Sequence, residues 1–475
     1  MMLRQLPREF KDMLRGCVGT DVAEKVVSFL EETEPVVSAR TNKLKNIAPA
    51  AGLESVPWLS DRGFYADVRP LFAADPAWHQ GLYYVQDASS MIMTETVRRA
   101  AAILPSGPLR YLDACAAPGG KTIAAVEALP AGSAVLANEF DRKRAGALLE
   151  NLAKHGFPAV AVSNIDGATL GKLGPVFDIV AVDAPCSGEG MMRKEPEAIR
   201  QWSRGLLESC AALQRDILAG VWNALRPGGV LIYSTCTFNR QEDEENVRFI
   251  AESLGAESID LGLETYPGVL GGFDTPYHCY RLMPGFVRGE GLFIAALRKM
   301  DGNGTRVPRM KGAFSKAAPI AIKSADAWLR EPEYYTVFAD GADAFAAVPA
   351  AQATFMAYLA ASLRLLRCGL PLGHIKGKDA VPSWELSFST AFLKDSMPQL
   401  PMDYSAAMTY LHGDSLSDVP DGLPKGFATA TFGGMPLGFI KNIGRRANNL
   451  YPEALRLRMN PDALAMPQPL ITTEL

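Results

Sequence analysis

Two cysteines lie where a thiol could do chemistry. Cys186 follows the apolar run FDIVAVDA, which contains Asp183, and Cys236 ends the run VLIYSTC just after Ser234. A cysteine within an apolar strand is usually an inert packing group, but both of these lie past the apolar residues, in loops rich in Gly, Ser and Thr. If the two runs form adjacent parallel strands, both thiols reach the same edge of a sheet. A thiolate there would be a soft nucleophile.

Such a thiolate is suited to alkylation of a pyrimidine at C5. That carbon is too weak a nucleophile to take a methyl group directly, but addition of a thiolate at C6 makes C5 enamine-like and able to attack a methyl sulfonium. The adduct must then lose its C5 proton and expel the thiolate, which requires a second group. A carboxylate beside N3 would stabilise the adduct.

A glycine-containing loop precedes both cysteines in the chain. Asp113-Ala-Cys-Ala-Ala-Pro-Gly-Gly-Lys-Thr follows a predicted strand and opens a predicted helix, where a doubly wound sheet binds its ligand. A phosphate-binding loop of the Walker type would need glycine at position 115, and the chain has Cys115. Taken alone, the loop is also consistent with a tight strand-to-helix turn.

Three carboxylates support a nucleoside site at this loop. Glu139 ends the second predicted strand, nineteen residues after Gly120, where an acid is placed to accept hydrogen bonds from ribose hydroxyls. Asp166 ends the third predicted strand and Asp183 the fourth. Because the chain has no second glycine-rich fingerprint, we expect an adenosine-containing ligand and not a dinucleotide.

The elements that must position these residues alternate between strand and helix. The short apolar runs RYLDAC, SAVLANEF, PAVAVSN, FDIVAVDA and VLIYSTC resemble strands buried on both faces, with helical stretches between them. This alternation predicts a parallel, doubly wound α/β sheet, which residues 291–299 (GLFIAALRK) close as a final strand.

Regions of different character flank this core. The first hundred residues predict a small helical and mixed lobe. Residues 298–323 hold seven Lys or Arg against one acid and predict a basic linker. The chain beyond Ser324 predicts one or two small α+β modules, and residues 440–458 carry five basic side chains against one acid.

Composition excludes several classes of protein. The 475 residues predict about three domains, and 48% hydrophobic residues are enough for packed cores. The net charge of −4 excludes a bulk positive field, so contacts with nucleic acid require local patches. No apolar run could span a membrane, which predicts a soluble cytoplasmic protein. The seven cysteines form no CxxC pair, which argues against a disulfide framework and a metal site.

The motifs resemble those of one enzyme family. DACAAPGGKT, DAPCSGEGMMRKEP and YSTCTFNRQEDEENV, in this order, are similar to the Nop/Sun (NSUN) family of S-adenosylmethionine-dependent RNA cytosine-C5 methyltransferases. The resemblance extends over roughly residues 1–300. The tail, which includes GDSLSDVPDGLPKGFATATFGGMPLGFIKN, is similar to the PUA-like RNA-binding region of the bacterial branch acting on 16S rRNA.

The resemblance implies a role for each motif residue. Cys236 would attack C6, and Cys186 would assist product release. Asp183 would also lie near the cytosine and Lys121 in the catalytic pocket. The implied cofactor contacts are Cys115, Ala116, Ala117, Pro118, Gly119, Gly120, Lys121, Glu139, Asp166 and Asp183. The family's usual Pro-His is replaced by Pro284-Gly285, which puts one RNA contact in doubt.

Together these inferences predict five regions and an RNA partner. They are an N-terminal RNA-binding lobe (1–85), a Rossmann-like methyltransferase domain (86–300), a basic linker (301–323), an α+β module (324–395) and a PUA-like RNA-binding module (396–475). The partner would be 16S rRNA or the small ribosomal subunit, with no membrane or metal. The oligomeric state is left open, and a tRNA methyltransferase or a non-catalytic ribosome-assembly factor is the alternative.

Two further polar segments could contact RNA or solvent. Arg40, Asn42, Lys43 and Lys45 are consistent with phosphate contacts or with an ordinary solvated surface, and the resemblance favours RNA. The acidic run 241–245 is interpreted as the charged start of a helix, without a catalytic role.

Overall fold

The first hundred residues form a helical pair and a small antiparallel sheet. The computed structural model describes residues 4–300, 311–417 and 419–472. The small sheet has the order β3-β1-β4. In chain order the elements are α1 (Arg8–Val18), α2 (Thr20–Glu32), β1 (Val37–Thr41), β2 (Ala48–Pro49), β3 (Gly63–Ala66), α3 (Pro76–His79), β4 (Tyr83–Val85), α4 (Ala88–Met91) and α5 (Met93–Ala102).

The apolar runs between residues 110 and 300 form most of one ten-stranded sheet. Residues alternate between its two faces: Ile179 and Ala181 pack in one core, and Val180 and Val182 in the other. The elements are β5 (Arg110–Asp113), α6 (Gly120–Ala128), β6 (Ala134–Asn138), α7 (Arg142–His155), β7 (Val160–Ser163), α8 (Gly167–Gly171), β8 (Phe177–Asp183), α9 (Pro196–Gln201), α10 (Arg204–Val221), β9 (Leu225–Thr235), α11 (Glu244–Glu252), β10 (Ala256–Ser258), β11 (Val269–Gly271), β12 (Cys279–Leu282) and β13 (Leu292–Lys299).

The centre of this sheet is parallel, and its order reverses beside β5. The five parallel strands lie in the order β9-β8-β5-β6-β7. The chain adds β6 and β7 on one side of β5, and then crosses to the other side of β5 to add β8 and β9. The doubly wound prediction is confirmed for these strands. Residues 291–299, predicted to close the sheet as its final strand, contain β13, which is antiparallel and lies between β9 and β12 instead of at the edge. The sheet is therefore mixed.

The chain beyond residue 311 builds two further four-stranded sheets and also extends the central one. Strand β16 pairs antiparallel with β7 and so adds a C-terminal strand to the edge of the central sheet. The elements are α12 (Pro319–Trp328), β14 (Tyr335–Ala339), β15 (Ala344–Pro349), α13 (Ala353–Ser362), β16 (Leu365–Cys368), β17 (Leu370–Lys376), β18 (Asp379–Pro382), α14 (Trp384–Phe388), β19 (Gln399–Pro401), α15 (Tyr404–His412), β20 (Gly426–Phe432), β21 (Met435–Asn442), β22 (Ala447–Asn449) and β23 (Ile471–Thr472).

The C-terminal part of the chain packs against the N-terminal lobe. Strand β23 pairs with β2, and the Gln80 amide donates to the carbonyl oxygens of Phe432 and Met435 at 2.9 and 2.7 Å. Residues 301–310 of the predicted basic linker lie outside the described residues, and its last five residues belong to α12. None of the helices in the described ranges is long and apolar enough to cross a membrane.

Candidate active site

The glycine-containing loop lies where the strand order of the central sheet reverses. It joins β5 to α6, beside the end of β8. Gly119 adopts a positive φ of 112°, which favours glycine, and a Cβ there would lie 3.3 Å from Leu148. A cleft of about 180 Å³ opens over the loop and is lined by Tyr84, Val85, Gln86, Asp87, Ser90, Ala116, Ala117, Pro118, Gly120, Lys121 and Asp183. Ligands bind at such a reversal point in open α/β sheets.

Glu139 holds its carboxylate beside this loop. The side chain is buried, and it accepts hydrogen bonds from the backbone N–H groups of Ala117 at 3.3 Å and Asp141 at 2.9 Å. The following residue, Phe140, is 74% exposed, an unusual environment for a ring of this size. An acid and an exposed aromatic ring therefore stand together at the end of β6, and sequence reasoning identified only the acid.

Two other predicted cofactor residues lie in different environments. Asp166 is exposed and caps α8, accepting hydrogen bonds from Thr169 N and Oγ1 at 2.8 and 2.9 Å, so the structure does not place its carboxylate among the residues that line the cleft. Cys115 is half-buried in the loop. Burial and the carboxylates of Asp113 and Asp183 raise the pKa of the Cys115 thiol well above its usual value. Cys115 is therefore a poor nucleophile.

Gln86 is a cleft residue to which the sequence assigned no role. Its side chain is buried, and among the described residues neither its amide nitrogen nor its amide oxygen has a hydrogen-bond partner. A Cβ on Gly120 would lie 3.3 Å from the Gln86 amide nitrogen. A buried amide without partners is costly, so these two atoms fit a bound polar ligand over the glycines. The cleft therefore suits a cofactor with a nucleoside part.

Lys121 and Asp183 form an ion pair at the floor of the cleft. Lys121 Nζ donates to Asp183 Oδ2 at 2.8 Å, and Ser234 Oγ donates to Asp183 Oδ1 at 2.8 Å. Burial acts to lower the pKa of Lys121, but the Asp183 carboxylate outweighs it, so the pKa lies above its usual value. A protonated amine and a carboxylate fixed by two donors therefore face the ligand.

The two candidate thiols are in direct contact. The Sγ atoms of Cys186 and Cys236 lie 3.1 Å apart, as expected from their positions after the adjacent strands β8 and β9. The loops are also joined by their backbones, because Gly190 N donates to the Cys236 carbonyl oxygen at 2.7 Å. The hydrogen bond to Cys236 and burial raise the pKa of the Cys186 thiol well above its usual value. Cys186 therefore retains its proton and can donate it to the sulfur of Cys236.

A buried carboxylate holds the two cysteine loops together. Glu242, which follows the Cys236 loop, accepts hydrogen bonds from the backbone N–H and the hydroxyl group of Ser187, next to Cys186, and from Gln214 at 2.7 Å and Asn239 at 2.8 Å. Burial raises the pKa of Glu242. The interpretation of residues 241–245 as the charged start of a helix missed this role.

Other acids around this network are buried as well. Glu189 accepts from Phe238 N and Asn239 Nδ2, and burial with the nearby Glu242 raises its pKa to about 7. Asp243 accepts from the hydroxyl group of Thr235 at 2.6 Å. These acids fix the conformation of the loops that carry the thiols. No sequence pattern distinguishes them from solvated acids.

The predicted phosphate contacts on the N-terminal lobe are wrong for Arg40. Its side chain is 1% exposed and forms an ion pair with Glu127 of α6, which also binds Arg62 at 2.7 Å. Asn42 is buried too and donates to the carbonyl oxygens of Gly81 and His155. These residues fasten the lobe to the central module, so they are unavailable to RNA.

Gly285, where the resemblance in sequence leads us to expect a histidine, packs against the N-terminal lobe. Its φ is +85°, and a Cβ there would lie 3.1 Å from the carbonyl oxygen of Lys25 in α2. A larger side chain would be strained in this backbone conformation and would push against the helix. The described structure therefore fills this position by packing against the N-terminal lobe.

Comparison with known proteins identifies relatives over most of the chain. The model described as 16S rRNA methyltransferase RsmB/F matches residues 101–298, the N-terminal domain of 16S rRNA methyltransferase RsmF matches 6–88, and the methyltransferase RsmF PUA domain matches 398–457. Ribosomal RNA small subunit methyltransferase F from Cronobacter sakazakii is 30% identical, with 95% of this chain and 96% of the relative covered. The enzyme of the same name from Escherichia fergusonii is 31% identical, with 85% of each chain covered.

Solved structures agree on the fold. The structure described as NSun6 from Pyrococcus horikoshii with SFG has a TM-score of 0.51 at 21% identity and covers 62% of this chain and 99% of that chain. A methyltransferase homolog protein from the same organism has a TM-score of 0.50 at 25% identity, covering 62% and 95%.

The role of Glu242 predicts a change in thiol reactivity. In Glu242→Ala the Cys186 loop loses its anchor and a nearby negative charge that raises the pKa of Cys186. Alkylation of Cys186 by iodoacetamide should therefore become faster by about tenfold, because a lower pKa increases the thiolate fraction. Mass spectrometry of the Cys186 peptide over time gives the rate.

The matched control is Glu245→Ala in the same acidic run. Glu245 is partly exposed and lies 3.8 Å from Arg215. In this variant, iodoacetamide should alkylate Cys186 at the same rate as in the wild-type protein. Equal rates in Glu242→Ala and Glu245→Ala would show that Glu242 does not hold the loop.

Proposed function

The chain belongs to the 16S rRNA methyltransferase RsmB/F family of S-adenosylmethionine-dependent RNA methyltransferases, and we propose that it methylates C5 of cytidine in 16S rRNA through a cysteine adduct at C6. The observation that carries this proposal is the contact of two thiols, 3.1 Å apart, beside the glycine loop of the cofactor site. Only one thiol is needed as a nucleophile. A second thiol in contact with it suits a reaction in which the first must also be expelled.

The cofactor site is assigned to the cleft over the β5–α6 loop. When bound there, S-adenosylmethionine supplies an electrophilic methyl group. The loop Cys115 to Lys121 approaches it closely because the loop side chains are small, and Glu139 accepts hydrogen bonds from the ribose. Phe140 offers an exposed ring to the adenine, and the Gln86 amide offers a donor and an acceptor. Asp166 remains a proposed contact.

Cys236 is the proposed nucleophile. Its thiolate sulfur forms a bond to C6 of the cytosine, which moves the π electron pair of the C5–C6 double bond onto C5. That pair would attack the methyl group supplied by bound S-adenosylmethionine, and the bond from the methyl carbon to the sulfonium sulfur would break. The Cys186 thiol, whose pKa is raised, donates a hydrogen bond that stabilises the Cys236 thiolate before attack and again as it leaves. For release, a base removes the C5 proton, its electron pair restores the C5–C6 double bond, and the C6–sulfur bond breaks.

Asp183 and Lys121 are proposed to orient the base. A carboxylate accepts a hydrogen bond from the cytosine 4-amino group, whereas uracil offers an acceptor at that position. Asp183 would therefore favour cytosine. The Lys121 ammonium group, held by Asp183 at 2.8 Å, can stabilise negative charge that develops on the ring during attack. The target base must leave its stack to reach this floor.

The remaining regions are proposed to bind the RNA. We assign RNA binding to the N-terminal lobe (1–85), the basic linker (301–323) and the PUA module (396–475), with the methyltransferase domain at 86–300 and an α+β module at 324–395. The match to a PUA domain over residues 398–457 supports this assignment. Because the proposed substrate is ribosomal RNA, we expect the protein to act in the cytoplasm.

Bisulfite sequencing tests the proposed activity in cells. A strain without the gene should lose protection of at least one 16S rRNA cytidine, because 5-methylcytosine resists conversion. The wild-type gene should restore protection, and the Cys236→Ala gene should not. Calorimetry should show that the Cys236→Ala protein binds S-adenosylmethionine as tightly as wild type does. Restoration by Cys236→Ala would exclude the covalent route. Loss of protection in tRNA alone would indicate a tRNA methyltransferase, and no loss anywhere would favour a non-catalytic assembly factor.

The role of Cys186 predicts a trapped intermediate. Cys186→Ala should still attack the base but release it slowly, because the departing thiolate loses its hydrogen-bond donor. A protein–RNA species that survives a denaturing gel should therefore accumulate when S-adenosylmethionine is present. The double variant Cys186→Ala, Cys236→Ala should form none. Absence of the species from the single variant would remove Cys186 from the release step.

A further inference from the structure

A positively charged pocket lies where three parts of the chain meet, away from the thiols. Its volume is about 220 Å³. The lining comes from the N-terminal lobe, from the region around α14 and from the PUA region: Leu44, Lys45, Asn46 and Gln80; Arg330, Ser387–Thr390, Phe392 and Lys394; Met435 and Pro436. The proposed mechanism does not use this pocket.

The three cations of the pocket have no acidic partner. Within the described residues no carboxylate oxygen lies within 4.0 Å of Lys45, Arg330 or Lys394, whereas other cations of the same region, such as Arg367 and Lys441, are in ion pairs. No carboxylate is part of the lining. Cations gathered without counter-charges repel one another, so the pocket is suited to an anion.

Two of the lysines that line the pocket keep hydrogen-bonding capacity. Lys45 Nζ donates to the carbonyl oxygens of Gln80 and Lys154 at 2.7 and 2.6 Å, which leaves one of its three N–H groups without a partner among the described residues. Lys394 Nζ donates to Met435 Sδ at 3.1 Å, and a thioether sulfur is a weak acceptor. Both ammonium groups can therefore take a further acceptor.

Electrostatics supports the same conclusion. Burial, together with the ammonium groups of Lys394 and Lys154, lowers the pKa of Lys45 to about 7. Burial and Arg330 lower the pKa of Lys394, against a smaller opposite effect of Asp395. An anion bound between these groups would offset both the repulsion and the lost hydration.

We propose that this pocket binds a phosphate group of the RNA backbone, an inference that rests on the proposed function. A guanidinium and two ammonium groups form the usual phosphate-binding set. Strand β1 connects the pocket to the catalytic cleft. The strand is roughly 15 Å long, and the chain reaches Lys45 a few residues after its C-terminal end. Near its other end, Ser38 lines a further pocket that shares Val85–Asp87 with the cofactor cleft. One RNA could therefore contact both.

The test is RNA affinity across a salt series. The variant is Arg330→Gln, Lys394→Gln, which leaves the internal hydrogen bonds of Lys45 intact. Full-length protein and a 16S rRNA transcript are used in filter binding. The dissociation constant should rise about tenfold, and the slope of log affinity against log salt should fall by about one, as expected for one lost phosphate contact. Binding of S-adenosylmethionine should be unchanged.

The matched control removes two charges elsewhere in the same region. Lys376 and Lys378 are exposed at the end of β17 and just beyond it, so Lys376→Gln, Lys378→Gln gives the same change in net charge. A pocket-specific contact predicts the wild-type slope for this control. Equal slopes in both double variants would overturn the proposal.

A second measurement separates RNA phosphate from free phosphate. Sulfate is a non-titrating stand-in and should raise the thermal midpoint more than sodium chloride does at equal ionic strength, with a larger difference in wild type than in the pocket variant, because the variant keeps only the general stabilisation by an excluded anion. A larger sulfate effect in wild type with an unchanged RNA slope would overturn the RNA assignment in favour of a free anion. Equal sulfate effects in the two proteins and no change in slope would overturn the site altogether.

These outcomes are distinct from failure of the proposed function. If wild type methylates 16S rRNA but the pocket variant binds RNA with the wild-type slope, only the pocket inference fails. If wild type methylates no RNA, the methylation proposal fails, while the sulfate measurement still decides whether the pocket binds an anion.

Discussion

The geometry of the site depends on the hydrogen bonds that join the two cysteine loops, above all those to the buried carboxylate of Glu242. Two adjacent parallel strands bring Cys186 and Cys236 to the same edge of the sheet, but strand ends alone do not fix two loops to within a sulfur–sulfur contact. Glu242 accepts hydrogen bonds from both loops at once. The Glu189 carboxylate and the hydrogen bond from Gly190 N to the Cys236 carbonyl oxygen join the same two loops. Such a network is costly to leave half satisfied, so the loops are confined to this conformation.

The contact between the thiols also makes them chemically different. The hydrogen bond to Cys236 and burial raise the pKa of the Cys186 thiol, which favours Cys186 as the hydrogen-bond donor and leaves Cys236 as the proposed nucleophile. The resemblance in sequence implies the same assignment. Motif similarity and the contact between the two sulfur atoms therefore support the proposed roles independently.

Sequence predicted the parallel strands and the glycine loop, because continuous apolar runs and small residues at a strand end have few alternative structures. It did not predict that Glu242 is buried, since an acid at the start of a helix is usually solvated. It also misplaced Arg40, because burial of a charge depends on a partner, Glu127, that is distant in sequence. Strand β16 was missed because four residues at a sheet edge have too short a pattern to detect.

The most direct measurement of the covalent mechanism is a trap with RNA that carries 5-fluorocytidine. Fluorine at C5 cannot leave as a proton does, so the adduct should persist after methyl transfer. Digestion and mass spectrometry then locate the modified cysteine. The account predicts a methylated nucleotide attached to the peptide that contains Cys236. Attachment at Cys186, or methylation of ordinary RNA without any adduct on the fluorinated RNA, would contradict it.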